Sequence, residues 1–146
     1  WLLLDKIQDP GNVGTLVRTA DAAGFKGVVF GEGTADAYSP KVVRAMQGSQ
    51  FHLEVLTGDL VEWTDALTAN NLSVYGSQLN EAARSYREIE SSTQFALIVG
   101  NEGQGMSDEL AVKTTANLYI PIQGQAESLN VAIAGGILMF SLASGN

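Results

Sequence analysis

The sequence contains no cysteine, a single histidine (His52), and only 8 Lys and Arg against 16 Asp and Glu. Without cysteine there are no disulfides and no thiolate metal sites, and one imidazole is too few for a zinc or facial-triad centre. Catalysis by a Cys nucleophile is excluded, and a His-based triad could be built only on His52. The formal net charge of −8 argues against a sequence-independent grip on nucleic acid, because such binding neutralises phosphates with many Lys and Arg. No run of eighteen apolar residues is present, and no charged stretch leads into a short apolar leader. The expectation is a soluble, cytoplasmic protein with no metal and no membrane partner.

What is present fits one domain. A chain of 146 residues, 45% of them hydrophobic, is long enough to bury a continuous core, so residues 1–146 read as a single unit. It opens on Trp1 with a strand-like run at once, which suggests a domain cut from a longer protein. Six apolar runs recur at 2–7, 27–31, 52–56, 72–76, 95–100 and 117–122, with the length and β-branched content of strands buried on both faces. Helical stretches separate them. One spans about 12–23 and stops at Gly24, suited to a left-handed C′ position. A second opens with Ser39 as N-cap and Pro40 at N1. Asp59 caps a third, Ser107 precedes a fourth with Asp108 and Glu109 in its first turn, and the last runs from about 128 to 143. The polar stretch 77–94 reads as a surface loop with a short helix. Alternating strand and helix predict an α/β fold with a mostly parallel six-stranded sheet flanked by helices. Ligands in such sheets sit beyond the carboxyl ends of the strands.

Three stretches carry chemistry. In "QDPGNVGTLVRTADAAGF", Asn12 can cap the helix, Gly14 permits close approach to its first turn, and Arg18 lies one turn further on. A capped core helix with a solvated Arg explains the same residues. In "IVGNEGQGMSDEL", Gly100, Gly103 and Gly105 interleave with Asn101 and Glu102. There is no Lys for a P-loop and no G-x-G-x-x-G, so phosphate-cradle and dinucleotide readings are weak, and Glu102 suits a cationic ligand or an Arg partner. In "IPIQGQAESLNVAIAGGI", Ser128 is the ordinary N-cap, while Asn130 inside the first turn gains nothing unless it bonds something. The small residues at 132, 134, 135 and 136 admit another helix, in the same chain or a second copy.

Together and in this order, these stretches resemble the three motifs of the SpoU (TrmH-like) family of RNA ribose 2′-O-methyltransferases in the SPOUT superfamily. The matching residues are Asn12, Gly14 and Arg18 with "RTADAAG", then Gly100, Asn101, Glu102 and Gly103, then "IPIQG" with Glu127, Ser128, Leu129, Asn130, Val131 and Ala132. Gln47 departs from the pattern, since the family usually places a small hydroxyl residue near there. The resemblance implies an S-adenosylmethionine-dependent enzyme, a C-terminal trefoil knot, a homodimer and an RNA substrate, rRNA favoured over tRNA. Composition would never suggest the knot, because threaded chains are nearly absent among folds. Members commonly carry an N-terminal RNA-binding domain, and none lies within these residues.

By the same resemblance, Leu79, Gly100, Asn101, Glu102, Ile120, Ile122 and Leu129 surround the cofactor, and Arg18, Asn12, Glu102, Ser128 and Asn130 are catalytic. A guanidinium gives up its proton only far above neutral pH, so deprotonating it at pH 7 costs several kcal/mol. Arg18 is therefore expected to stay charged, gripping the phosphate beside the target ribose and stabilising alkoxide character, with Asn12, Glu102, Ser128 and Asn130 orienting it. His52 reads as structural. The competing readings are a binding partner that lost turnover, and a Rossmann-type NAD or ATP enzyme, which the missing fingerprints disfavour.

Overall fold

A computed structural model describes residues 1–143. Its centre is a seven-stranded sheet in the order β3-β2-β1-β6-β4-β7-β5. Every pairing between these strands is parallel. The strands are β1 (Leu2–Asp5), β2 (Gly27–Gly31), β3 (Glu54–Gly58), β4 (Ser73–Ser77), β5 (Arg84–Ser85), β6 (Phe95–Gly100) and β7 (Ala116–Tyr119). The six expected strands are all present, shifted by up to two or three residues at their ends. The seventh, two-residue β5, lies inside the stretch read as a loop. It is too short to carry a hydrophobic period, and only its pairing with Leu118 and Tyr119 defines it.

Strands β1, β2 and β6 are buried along their whole length, as continuous apolar runs demand, whereas edge strand β3 has only half-buried and exposed residues. One core, around Leu4, Leu16, Val28, Leu97, Val99 and Leu138, lies between the sheet and helices α1 (Pro10–Ala22) and α5 (Val131–Leu142). A smaller core on the other face joins Leu3, Val29, Ile98 and Leu110 to α3 (Leu60–Ala69) and α4 (Asp108–Ala111). Helix α2 (Pro40–Met46) packs on α1.

Caps explain where the helices begin. Ser39 and Asp59 accept from the first-turn amides as expected. Two expectations are corrected. Helix α1 is capped by Asp9, whose carboxylate accepts the Asn12 N–H at 3.0 Å, and Pro10 occupies N1. Asn12 therefore sits inside the helix with its side-chain amide free for another partner. Helix α5 is capped by Asn130, which accepts from Ala132 and Ile133 at 2.8 and 3.1 Å, while Ser128 makes no cap. The small face of α5 serves its own chain: a Cβ on Gly135 would meet Leu16 Cδ2 at 2.6 Å. No described helix is long and apolar enough to cross a membrane.

Candidate active site

The sheet order gathers three of the candidate loops. Because β4 lies between β6 and β7, the chain leaves these neighbours side by side at 100–104, 78–80 and 120–122. The Gln78 N–H donates to Leu118 O at 3.0 Å, which holds the second exit against the third. Gln78 Oε1 accepts the Met106 N–H at 3.1 Å, which ties it to the first.

The loop after β6 is a tight, internally bonded turn. Asn101 and Gly105 exchange both backbone hydrogen bonds, at 2.9 and 3.0 Å, and Asn101 Oδ1 accepts the N–H groups of Gly103 and Gln104. A Cβ on Gly100 would lie 2.2 Å from Met106 N, so that glycine is required by the returning backbone and not by a ligand. Gly103 is different: its nearest neighbour would stand at 3.7 Å, so its open side is available for a ligand's approach.

Glu102 is the keystone. Its carboxylate accepts the backbone N–H of Asp9 at 2.8 Å and of Gln8 at 3.1 Å, and the Asn12 side-chain amide at 3.4 Å. Asn12 Oδ1 in turn accepts from Asn130 Nδ2 at 3.2 Å. The expected Arg partner is replaced by main-chain donors at the entrance to α1. Partial burial pushes the Glu102 carboxyl pKa up, but the N–H donors of Asp9 and Gln8 and the Asn12 amide outweigh it, and the net direction is down. A depressed carboxylate contributes stability that is present above its unfolded pKa and lost as pH falls through the folded one. On acidification, the Gln8 and Asp9 amide resonances are expected to move together, with a midpoint below the ordinary glutamate value of about 4.3. Glu102→Gln should abolish that step, and a midpoint at or above the ordinary value would contradict it.

Residues outside the expected set complete the frame. Asp5, buried at the end of β1, accepts the Ser107 N–H at 2.8 Å. Lys6 adopts φ 59°, and its carbonyl accepts Asn101 Nδ2 at 2.7 Å. An acid closing an apolar run, "LLLD", was the available signal for Asp5, since a buried carboxylate needs a donor.

The main chain from Ile120 to Leu129 makes no hydrogen bond to another described residue. This segment thus presents unspent carbonyl groups and, at every residue but Pro121, unspent amides beside the half-exposed side chains of Ile122 and Leu129 and the exposed Leu79. That combination fits a flat heterocycle with polar edges, as does the open face of Gly103. Two cavities open elsewhere. One of about 460 Å³ lies at the amino ends of the strands, around Trp1, Phe25 and Phe95, and one of about 330 Å³ lies beyond β2 and β3, around Gly33 and Asp59. Neither is lined by the candidate residues. No group of three or more metal-ligating side chains occurs among the described residues.

Asn12, Asn101, Glu102 and Asn130 are therefore brought together, and Ser128 is exposed two residues from Asn130. Arg18 is not part of the network. At 100° per residue it points about 240° around α1 from Asn12, and it bonds to none of the other four candidates. His52 binds Asp21 at 2.9 Å, away from the loops.

Comparison with known proteins follows the same outline. The family model described as the SpoU rRNA Methylase family matches residues 1–140. The 23S rRNA (guanosine(2553)-2′-O)-methyltransferase RlmP of Bacillus subtilis is 54% identical over 141 residues, covering 97% of this chain and 56% of that protein. The chain thus spans about half the length of this curated relative. Among solved structures, an AdoMet-bound rRNA methyltransferase from Sinorhizobium meliloti superposes with a TM-score of 0.89 at 37% identity, over 97% of this chain and 54% of that one. The SpoU methyltransferase AviRb from Streptomyces viridochromogenes, in complex with AdoMet, gives 0.86 at 29% identity, over 97% and 58%.

Proposed function

This chain belongs to the SpoU rRNA Methylase family, and from that premise we propose that it transfers a methyl group from S-adenosylmethionine to a ribose 2′-hydroxyl in RNA, rRNA in preference to tRNA. The observation that carries the reading is the Asn130–Asn12–Glu102 network, in which residues from three sequence-distant stretches meet beside the unspent main chain of 120–129.

When bound, S-adenosylmethionine supplies an electrophilic methyl carbon on a sulfonium. The chain does the rest. Gly103 and the 120–129 backbone offer donors and acceptors to adenine and ribose edges, with Leu79, Ile120, Ile122 and Leu129 as apolar walls and Gly100 and Asn101 fixing the turn. Glu102 clamps the entrance of α1 to that turn, so that Asn12 and Asn130 keep one geometry. Ser128 stands exposed at the mouth, within reach of an incoming nucleotide. Arg18, exposed on α1 and outside this hydrogen-bond network, grips a phosphate of the acceptor strand bidentately and stabilises charge developing on the attacking oxygen. Titration calorimetry with S-adenosylhomocysteine, NAD and ATP tests the cofactor: binding of the first alone is expected, and binding of NAD or ATP instead would overturn the reading. Mapping 2′-O-methyl sites in total RNA from a deletion strain, rescued by the full-length gene, identifies the target.

The same proposal includes a homodimer and the C-terminal knot. Ile133, Ile137 and Phe140 recur at i, i+4 and i+7 on the outer face of α5 and are 55%, 36% and 58% exposed, an apolar stripe that a second copy would cover. Ile137→Asp is expected to shift sedimentation from dimer to monomer, and an unchanged dimer would place the interface elsewhere. The segment 1–146 is proposed as the catalytic domain of a longer, cytoplasmic protein, with RNA-binding elements outside it.

A further inference from the structure

The chain carries few cations, and their placement is uneven. Of its eight Lys and Arg, Lys26, Arg84 and Lys113 are paired with Glu54, Glu88 and Asp65. Arg87 lies over the Tyr86 ring at 5.6 Å. Among the described residues five cations have no carboxylate within ion-pair distance, although the net charge is −8: Lys6, beside Gly33, then Arg87, and three more, Arg18, Lys41 and Arg44.

These three belong to one surface. Gly14, Arg18 and Asp21 share a stripe of α1, being i, i+4 and i+7. At one end of the stripe a Cβ on Gly14 would lie 2.2 Å from Ala45 Cβ, and at the other Asp21 binds His52 at 2.9 Å. Arg18 therefore emerges between those contacts, beside the corner where α2 ends. That corner is made by Gln47 and Gly48, both left-handed, at φ 50° and 89°. Lys41 and Arg44, at i and i+3, are neighbours on the exposed side of α2, because Val42 and Met46 are buried and Ala45 faces α1. From Tyr38 to His52 there is no Asp or Glu, and from Pro10 to Ala20 there is none either. Sixteen acids are confined to the rest of the chain, with Glu32 and Asp36 before this surface and Asp21 at its far end. Two aromatic rings stand on it unburied: Tyr38 is 78% exposed and Phe51 83%.

We propose that this α2 surface holds the RNA strand adjoining the target nucleotide: Lys41 and Arg44 contact its phosphates and Phe51 stacks on an unpaired base. The proposal rests on the methyl-transfer reading for the position of the target beside Arg18. A single strand is the occupant because solvent-facing rings at the ends of a short basic helix suit splayed bases, whereas duplex RNA stacks its bases internally. Gln47, at the left-handed corner next to Arg18, is placed to contact the nucleotide where strand and target meet.

Fluorescence anisotropy of the full chain with a labelled, mixed-sequence 16-nucleotide single-stranded RNA tests it, with the same RNA annealed to its complement as the second arm. Single strand is expected to bind more tightly than duplex. Lys41→Glu with Arg44→Glu should weaken single-strand binding by more than tenfold and make the log–log salt slope shallower by about 1.4, two contacts at roughly 0.7 each. The same charge change at Lys26 and Lys113, on other faces, should leave the difference between arms intact. Phe51→Leu should cost about tenfold and Phe51→Tyr should restore binding. Insensitivity to the Lys41 and Arg44 reversal, or equal binding of duplex, overturns the proposal. If the variants still bind S-adenosylhomocysteine normally in that case, only the docking surface falls. If wild type binds neither S-adenosylhomocysteine nor RNA, the methyl-transfer reading falls with it.

Discussion

Turnover of Arg18→Lys is expected to fall by about 10² to 10³, the loss typical of removing one donor aimed at developing charge, with affinity for S-adenosylhomocysteine changed less than twofold. The substitution keeps the positive charge and removes the planar fork, so it separates two roles. If Arg18 worked as a general base, lysine would improve it: an ammonium gives up its proton near pH 10.4, two to three units below a guanidinium. Lysine at this position should then match or exceed the wild-type rate. If the residue holds phosphate bidentately and stays charged, a single-point cation cannot replace both hydrogen bonds. Retained turnover in the Lys variant would therefore sink the gripping role. The exposure of Arg18 and its separation from the Asn12–Glu102–Asn130 network predict that cofactor binding is indifferent to it.

The second large effect is on folding. Gly100→Ala is expected to destabilise the domain by about 3 kcal/mol, the upper end for overpacking, because the added methyl would meet main chain and not a movable side chain. Its neighbours would be Met106 N at 2.2 Å, Gly105 C at 2.5 Å and Met106 Cα at 2.7 Å. For a domain of this size that corresponds to a fall of roughly 10 °C in Tm, read by differential scanning calorimetry. Gly124→Ala provides the contrast, since nothing lies within 4 Å of the position its Cβ would take, and the change there should stay within about 0.5 kcal/mol. An unaltered Tm for Gly100→Ala would mean that the 101–105 turn swings away from β6 at little cost.

Much of this molecule could be read from residues in order, and the exceptions share a cause. Apolar runs located the six long strands because fully buried parallel strands are apolar throughout, and Ser39-Pro40 and Asp59 marked helix starts because caps act over three residues. The same rule was present in Asp9-Pro10, where a capping acid precedes a proline at N1, yet Asn12 also fitted the role and local chemistry did not choose between them. At the last helix Ser128 read as the cap and Asn130 as a first-turn residue, and the cap lies two residues later than that reading placed it. The anomaly that an amide in the first turn gains nothing there is resolved once Asn130 is the cap and also bonds Asn12 across 118 residues. Glu102 is legible as a site residue from its glycine-rich turn, but its partners are backbone amides near residue 9, which no side-chain pattern announces. Gly100 illustrates the converse: a glycine beside a ligand site is explained by its own returning chain. The separation of Arg18 from Asn12 was already implied by six residues at 100° each.

The position of β6 has a consequence for how the chain is made. It fills the middle of the sheet, between β1 and β4, yet it starts some ninety residues after β1 ends. During synthesis at about 5–20 residues per second, β1 therefore waits roughly 5–20 s with one flank open, able to pair with a neighbouring nascent chain before its proper companion emerges from the ribosome.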